Sequence, residues 1–215
     1  MLAALQGLAV ALETATDLTD PAVALPLLRS RIVTEGSLLL EDAVQRPLAS
    51  GLMEVLVAEV AGAVTLLSPS LVEGWGIDPA VLLQRGREQV LAGPLPGRRI
   101  VELDGITLMA LESASAFTPT HVHRLPAYLD VPPAGALVVL PTRHLLLAAP
   151  VTNRSETLAT AQLLLVNADQ MWRAGPGSLS PDLWWWRAQG LVHLPGTPTS
   201  LTPPGEFLTI LDRLP

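Results

Sequence analysis

Short apolar runs joined by tight turns set the strongest limit on what this chain can form. Arg99 to Leu103 and Ile106 to Leu111 flank Asp104-Gly105, a dipeptide whose residues both tolerate positive φ and so favour the turn whose twist matches paired strands. Met53 to Val60 and Ala63 to Leu67 meet at Ala61-Gly62, and Leu183 to Arg187 meets Leu191 to Leu194 around Gln189-Gly190, which gives two further hairpins. Ala136 to Leu140 and Leu145 to Ala149, bridged by Pro141-Thr142-Arg143-His144, are apolar at nearly every position. They read as a central hairpin covered on both faces. Connections this short permit only antiparallel pairing.

Helical signals lie between the hairpins. Leu2, Leu5, Leu8, Val10 and Leu12 approximate one face of an N-terminal helix, and Pro21 restarts a helical segment through about Arg31; the sheet is expected to begin after Leu38. Ser68-Pro69 and Asp78-Pro79 each place a side-chain oxygen at a helix N-cap and a proline at the first helical position, where its missing N–H costs nothing. The second of these helices runs to about Leu91, and Gly86 in its middle implies close packing against a neighbour. Thr118 to Asp130 fits a short helix interrupted near Pro126. Asn153 followed by Glu156 matches a capping box, ahead of an apolar face made by Leu158, Ala161, Leu165, Ala168 and Trp172. Pro195 to Gly205 reads as a Pro/Thr-rich linker, with a short helix over Glu206 to Leu214. The expected fold is α+β, a mostly antiparallel sheet built from hairpins and packed with several helices, in one domain over residues 1–215, residues 1–34 forming an N-terminal helical segment.

Composition excludes several chemistries. All thirteen basic residues are arginine and there is no cysteine. Schiff-base and P-loop lysines, thiol nucleophiles and thiolate metal sites are thereby removed. A net charge of −7 argues against nucleic acid as a partner, because phosphate binding needs clustered cations. Met1 to Leu12 lacks a positive flank and no stretch reaches the ~20 apolar residues of a membrane span, so the expected location is cytoplasmic, with no membrane partner. Charged residues make up only 15% while 49% are hydrophobic, which favours self-association as a homo-oligomer or burial against a protein partner.

The ordered series resembles the YtpQ-like bacterial family, a domain of unknown function. The resemblance rests on Ser68-Pro69-Ser70-Leu71-Val72-Glu73-Gly74-Trp75-Gly76-Ile77, on the next helix with Gly86, Gln89 and Val90, and on Ala136-Leu137-Val138-Val139-Leu140-Pro141-Thr142-Arg143. The sequence departs from the family pattern at Gln89 and His144, where asparagine and aspartate are expected. The resemblance implies no activity, substrate or cofactor.

Few residues are candidates for function. In an extended segment His121 and His123 would share one side and could hold a metal, with Asp104, Glu112 or His144 as a third ligand; beside Pro119 they read more simply as surface loop residues, and no metal, cofactor or catalytic residue is assigned. Arg143, in a turn between strands, could grip a carboxylate or phosphate, or be a solvated turn residue. The Ser113 to Val122 stretch is rich in small and hydroxylated residues but has no Gly-x-Ser-x-Gly elbow. Trp184-Trp185-Trp186 is the most unusual local feature. In a strand Trp185 must face away from the other two, which makes these residues, with Phe207 and Leu211 of the C-terminal segment, the candidate interaction surface. The sequence thus favours a non-catalytic binding or protein-interaction domain over an enzyme of unrecognised type using His121, His123 and Arg143.

Overall fold

A computed structural model of the protein describes residues 16–37, 42–175 and 177–215; the expected helix at Met1 to Leu12 lies outside them. The fold is α+β, with two principal antiparallel sheets. In the first, the long strand β3 (Leu52–Val60) takes β1 (Leu28–Thr34) along one edge. Its other edge is shared by β2 (Gln45–Ala49), against Leu52 to Val55, and β4 (Ala63–Leu66), against Val57 to Val60. A one-turn helix α1 (Pro21–Ala24), α2 (Pro69–Glu73) and α3 (Pro79–Ala92) pack Ala24, Val72, Leu82 and Leu83 against Leu28, Leu56 and Ala58 of this sheet.

The second sheet has the order β10-β9-β7-β8-β6-β5, with β5 (Gly97–Leu103), β6 (Ile106–Glu112), β7 (Ala136–Thr142), β8 (Leu145–Pro150), β9 (Leu183–Arg187) and β10 (Gly190–Leu194). Its central strands are apolar on both faces because both faces are covered. Leu137 and Val139 meet α4 (Arg154–Ala174) and α5 (Gly205–Leu211) through Leu164, Leu165, Phe207 and Leu211. Val138 and Leu140 face the other way, onto Val122 and Leu125 of the 3-10 segment Thr118–Ala127 and onto Ile32 and Leu52 of the first sheet. Burial of this kind supplies about 25 cal/mol per Å² of apolar surface removed from water, so the central hairpin anchors both layers.

The cap residues act as their chemistry predicts. Ser68 accepts from the Leu71 amide at 3.3 Å, Asp78 from Ala80 at 2.8 Å, and Asn153 from Glu156 at 2.8 Å, each satisfying a donor with no partner inside its helix. All four expected hairpins form, and Asp104 and Gly105 both carry positive φ.

Three expectations are corrected. The helix restarted at Pro21 stops within one turn and the sheet begins at Leu28, before Leu38: Pro26 lacks a backbone donor, and Leu28, Ser30 and Ile32 alternate as buried residues facing their β3 partners. The 195–205 segment is a small ribbon, β11 (Gly196–Thr197) paired with β12 (Ser200–Leu201), closed by Thr202 N donating to Pro195 O at 2.7 Å. It docks on α4, a Cβ at Gly196 falling 2.8 Å from Leu165. The Thr118 to Asp130 segment is 3-10, kinked at Arg124. Among the described residues no helix is long and apolar enough to cross a membrane.

Gly86 of α3 lies on the β1 backbone, where an added Cβ would meet Arg29 C at 2.8 Å and Ser30 N at 3.0 Å. Backbone cannot move aside as a side-chain end can, so Gly86→Ala is expected to destabilise the protein by about 1–3 kcal/mol despite alanine's better helix propensity. Chemical denaturation checks this; a variant as stable as the parent would contradict the packing.

Candidate functional site

Two polar constructions stand out from the apolar layers. The first is centred on Glu54, whose side chain is fully buried near the start of β3. Along the same sheet face its neighbours Leu56 and Leu28 belong to the core under the helices, and Leu52 and Ile32 to the core shared with the second sheet. Glu54 and Ser30, diagonal neighbours across the β1–β3 ladder, therefore lie where the two cores meet. Ser30 Oγ donates to Glu54 Oε1 at 2.5 Å. Arg87 donates to both oxygens, Nε to Oε1 at 2.9 Å and Nη2 to Oε2 at 2.6 Å, and Arg46 Nε donates to Oε2 at 2.7 Å. His123 Nε2 stands 3.5 Å from Oε1, at ion-pair distance.

This carboxylate uses all its lone pairs within the protein. Burial pushes the Glu54 pKa up, but the contacts of His123 and Ser30 and the charges of His123 and Arg46 pull it down further, so it lies below the usual carboxylate range. It is ionised and saturated. A group with no spare acceptor is a joint, tying β1, β2, β3, α3 and the 3-10 segment, and offers nothing to a ligand.

The second construction is open. A cleft of about 260 Å³ lies between β1, the end of β3, α3 and the loop from Ser113 into the 3-10 segment, bounded by Arg29, Glu59, Gln89, Ser113, Ser115, Thr118 and His121 over an apolar part formed by Val90, Pro94 and Phe117. A larger depression is lined solely by α3 residues and is an exposed helix face. In the cleft Arg29 Nε pairs with Glu59 at 3.1 Å, its Nη1 donates to Leu28 O at 2.7 Å and to Gln89 Oε1 at 3.2 Å, and Gln89 Nε2 is held by Leu25 O at 2.9 Å. Ser113 and Thr118 share a hydroxyl hydrogen bond of 2.7 Å, and Ser115 Oγ accepts from the Phe117 amide at 3.2 Å. Each polar group is thus fixed before any ligand arrives.

His121 is 3% exposed. Its Nδ1 is 2.6 Å from Tyr128 OH, with the rings edge-on at 5.6 Å between centroids. Burial foremost, then the charge of Arg124, lowers the imidazole's affinity for a proton, and burial raises the Tyr128 phenol. Both are neutral. A neutral imidazole keeps one donor and one acceptor.

The structure separates the residues singled out from the sequence. His121 and His123 do not share a side, because a 3-10 turn replaces the extended segment; one turns to Tyr128 and the cleft, the other to Glu54, and neither is a surface loop residue. Among the described residues no group of three or more histidine or acidic side chains could hold a metal ion. Arg143 donates through Nε to His144 at 2.9 Å, and its backbone amide is bound to Gly177 O. Burial first and the Arg143 charge second lower the neighbouring Arg31 guanidinium from its usual range.

The tryptophan surface is corrected. Trp184 and Trp185 are buried, as are Phe207 and Leu211, and Trp186 is half-buried. Trp185 does face away from Trp184, but onto Phe207 at 5.1 Å between ring centroids, so the C-terminal helix docks on its own sheet. Each indole N–H has found a carbonyl: Ser50 O at 3.4 Å, Ala134 O at 2.7 Å and Val122 O at 2.8 Å. Two adjacent tryptophans facing opposite ways can both be buried because β9 is an interior strand with both faces covered.

The sequence does not single out Glu54, Arg29, Arg87 or Tyr128, and marks Gln89 only as a departure from the family pattern. A signal existed for the first: a carboxylate flanked on both sides by apolar residues needs a partner if its strand is internal. No family model, curated protein or solved structure matches this chain, so its site is read from geometry.

Glu54→Gln removes the buried charge that the partly exposed Arg46 and Arg87 face and is expected to cost about 3 kcal/mol. Because the folded-state pKa is depressed, the wild-type contribution is complete above the unfolded carboxylate value of about 4.3 and is lost as pH falls through the lower folded value. Urea denaturation of both proteins between pH 7 and pH 3 measures this. Parallel stability curves for parent and variant would contradict an ionised Glu54.

Proposed function

We propose that the chain is a non-catalytic binding domain, self-associating and cytoplasmic, whose ligand is a small uncharged polar molecule held in the cleft beside His121. One observation carries the reading: the cleft is where polar side chains from β1, β3, α3 and the 113–121 loop converge, already oriented by hydrogen bonds within the protein. Preorganisation of this kind reduces the ordering cost that a ligand must overcome. Arg29 and Glu59 cancel each other in charge and His121 is neutral, so the lining favours a ligand without net charge. Val90, Pro94 and Phe117 suit an apolar portion of it.

The enzyme reading draws less support. A hydrolytic site needs a nucleophile in hydrogen-bond reach of its base, whereas the Ser113 hydroxyl is bonded to Thr118 and the His121 Nδ1 to Tyr128. His123 and Arg143, the other residues of that reading, have their partners elsewhere.

A library of neutral polar fragments, followed by backbone amide shifts of the isotope-labelled chain, tests the proposal. Shifts are expected at Gln89, Ser113, Ser115, Phe117 and His121, and binding should weaken by about tenfold in Gln89→Ala, the loss of one hydrogen bond. Shifts gathered elsewhere, or no binding fragment, would overturn it.

A further inference from the structure

β5 ends the six-stranded sheet, and among the described residues its outer edge is paired with no strand. Which of its backbone groups face outward follows from the β5–β6 ladder. The two-residue turn at Asp104-Gly105 makes Leu103 and Ile106 a hydrogen-bonded pair, and such pairs alternate along an antiparallel ladder. Leu103, Val101 and Arg99 therefore bond to β6. The N–H and C=O groups of Arg98, Ile100 and Glu102 point away from the sheet. Their side chains share one face, and Ile100 at the centre is 53% exposed, whereas a protected edge keeps large apolar residues off such a position.

We propose that β5 pairs antiparallel with β5 of a second copy about a two-fold axis through Ile100, joining the two six-stranded sheets into one. The proposal rests on the self-association part of the functional reading and names its surface. Symmetry limits the possible registers. Facing residues of an antiparallel pair lie on the same side of the sheet, and a two-fold axis normal to the sheet keeps each residue on its own side, so the axis must pass through a residue. An axis at Arg98, Arg99 or Glu102 sets like charges against each other, and one at Val101 sets Ile100 against a carboxylate. The axis at Ile100 places Arg98 opposite Glu102 of the partner subunit, twice, and brings the two exposed isoleucines together. Every outward backbone group finds a partner in this register, about six hydrogen bonds at two per facing pair. Arg98 is already oriented for it: its Nε donates to Tyr128 O at 2.6 Å, leaving the terminal guanidinium nitrogens for a carboxylate.

Sedimentation velocity of the full chain tests this, with circular dichroism to confirm folding. The wild type is expected at twice the chain mass of 22.8 kDa. Glu102→Arg, an exposed change, sets arginine against arginine and should raise the dimer dissociation constant by about tenfold or more. The doubly exchanged variant Arg98→Glu/Glu102→Arg restores opposite charges and should restore the dimer. A wild type that stays monomeric at all concentrations overturns both the edge and self-association. A dimer indifferent to Glu102→Arg, or one that the exchange fails to restore, overturns the edge alone.

Discussion

The Glu54 carboxylate holds together parts of the chain that the hydrophobic effect alone would leave free to slide. An isolated carboxylate moved into the interior costs several kcal/mol even after relaxation, and here that cost is offset only because Ser30, Arg46 and Arg87 all reach it. Those residues come from β1, β2 and α3, so the carboxylate can be satisfied in one arrangement of the three. A one-residue slip of β3 would turn Glu54 to the opposite face, toward Val33, Val90 and Phe117 and away from the Ser30, Arg46 and Arg87 donors that now saturate it. Leucine and valine contacts tolerate small displacements. This ion does not, and it therefore specifies the register of the first sheet and the angle at which α3 lies on it.

That constraint explains where sequence reasoning succeeds. Hairpins and helix caps are local: Asp104-Gly105, Ser68, Asp78 and Asn153 act on neighbours within a few residues, so the sequence holds all the information required. The central hairpin was legible for a related reason, since strands apolar at every position must be covered on both sides. The failures are long-range. Whether the segment after Pro21 remains helical depends on β3, which lies far along the chain yet offers Leu28, Ser30 and Ile32 a ladder to join. The 195–205 ribbon likewise depends on docking against Leu165, and proline- and threonine-rich composition alone reads as linker.

The site was less legible than the fold because its residues look ordinary one by one. Arg29, Gln89, Ser113 and His121 acquire meaning only when β1, α3 and the 113–121 loop converge, and no spacing rule connects them. The conspicuous features misled for the same reason. Three tryptophans in succession suggest an exposed surface until β9 is known to be an interior strand, where large side chains with satisfied N–H groups are what the core requires. His121 and His123 suggest a metal pair in an extended segment, and the 3-10 turn sends them apart.

Tyr128 joins the two surfaces on which the functional reading rests. Its carbonyl holds the Arg98 guanidinium at the edge of β5, and its hydroxyl holds His121 at the wall of the cleft. The edge and the cleft are thus two hydrogen bonds apart through one residue. Such a path would carry allosteric coupling only if some element along it had two alternative states, and the buried environment of Tyr128 and His121, packed on Val122 and Leu125, favours one. The physical consequence of the link is placement: the same apolar packing that fixes the imidazole toward the cleft fixes Arg98 at the edge, so a ligand site and a contact surface are positioned by a single piece of core.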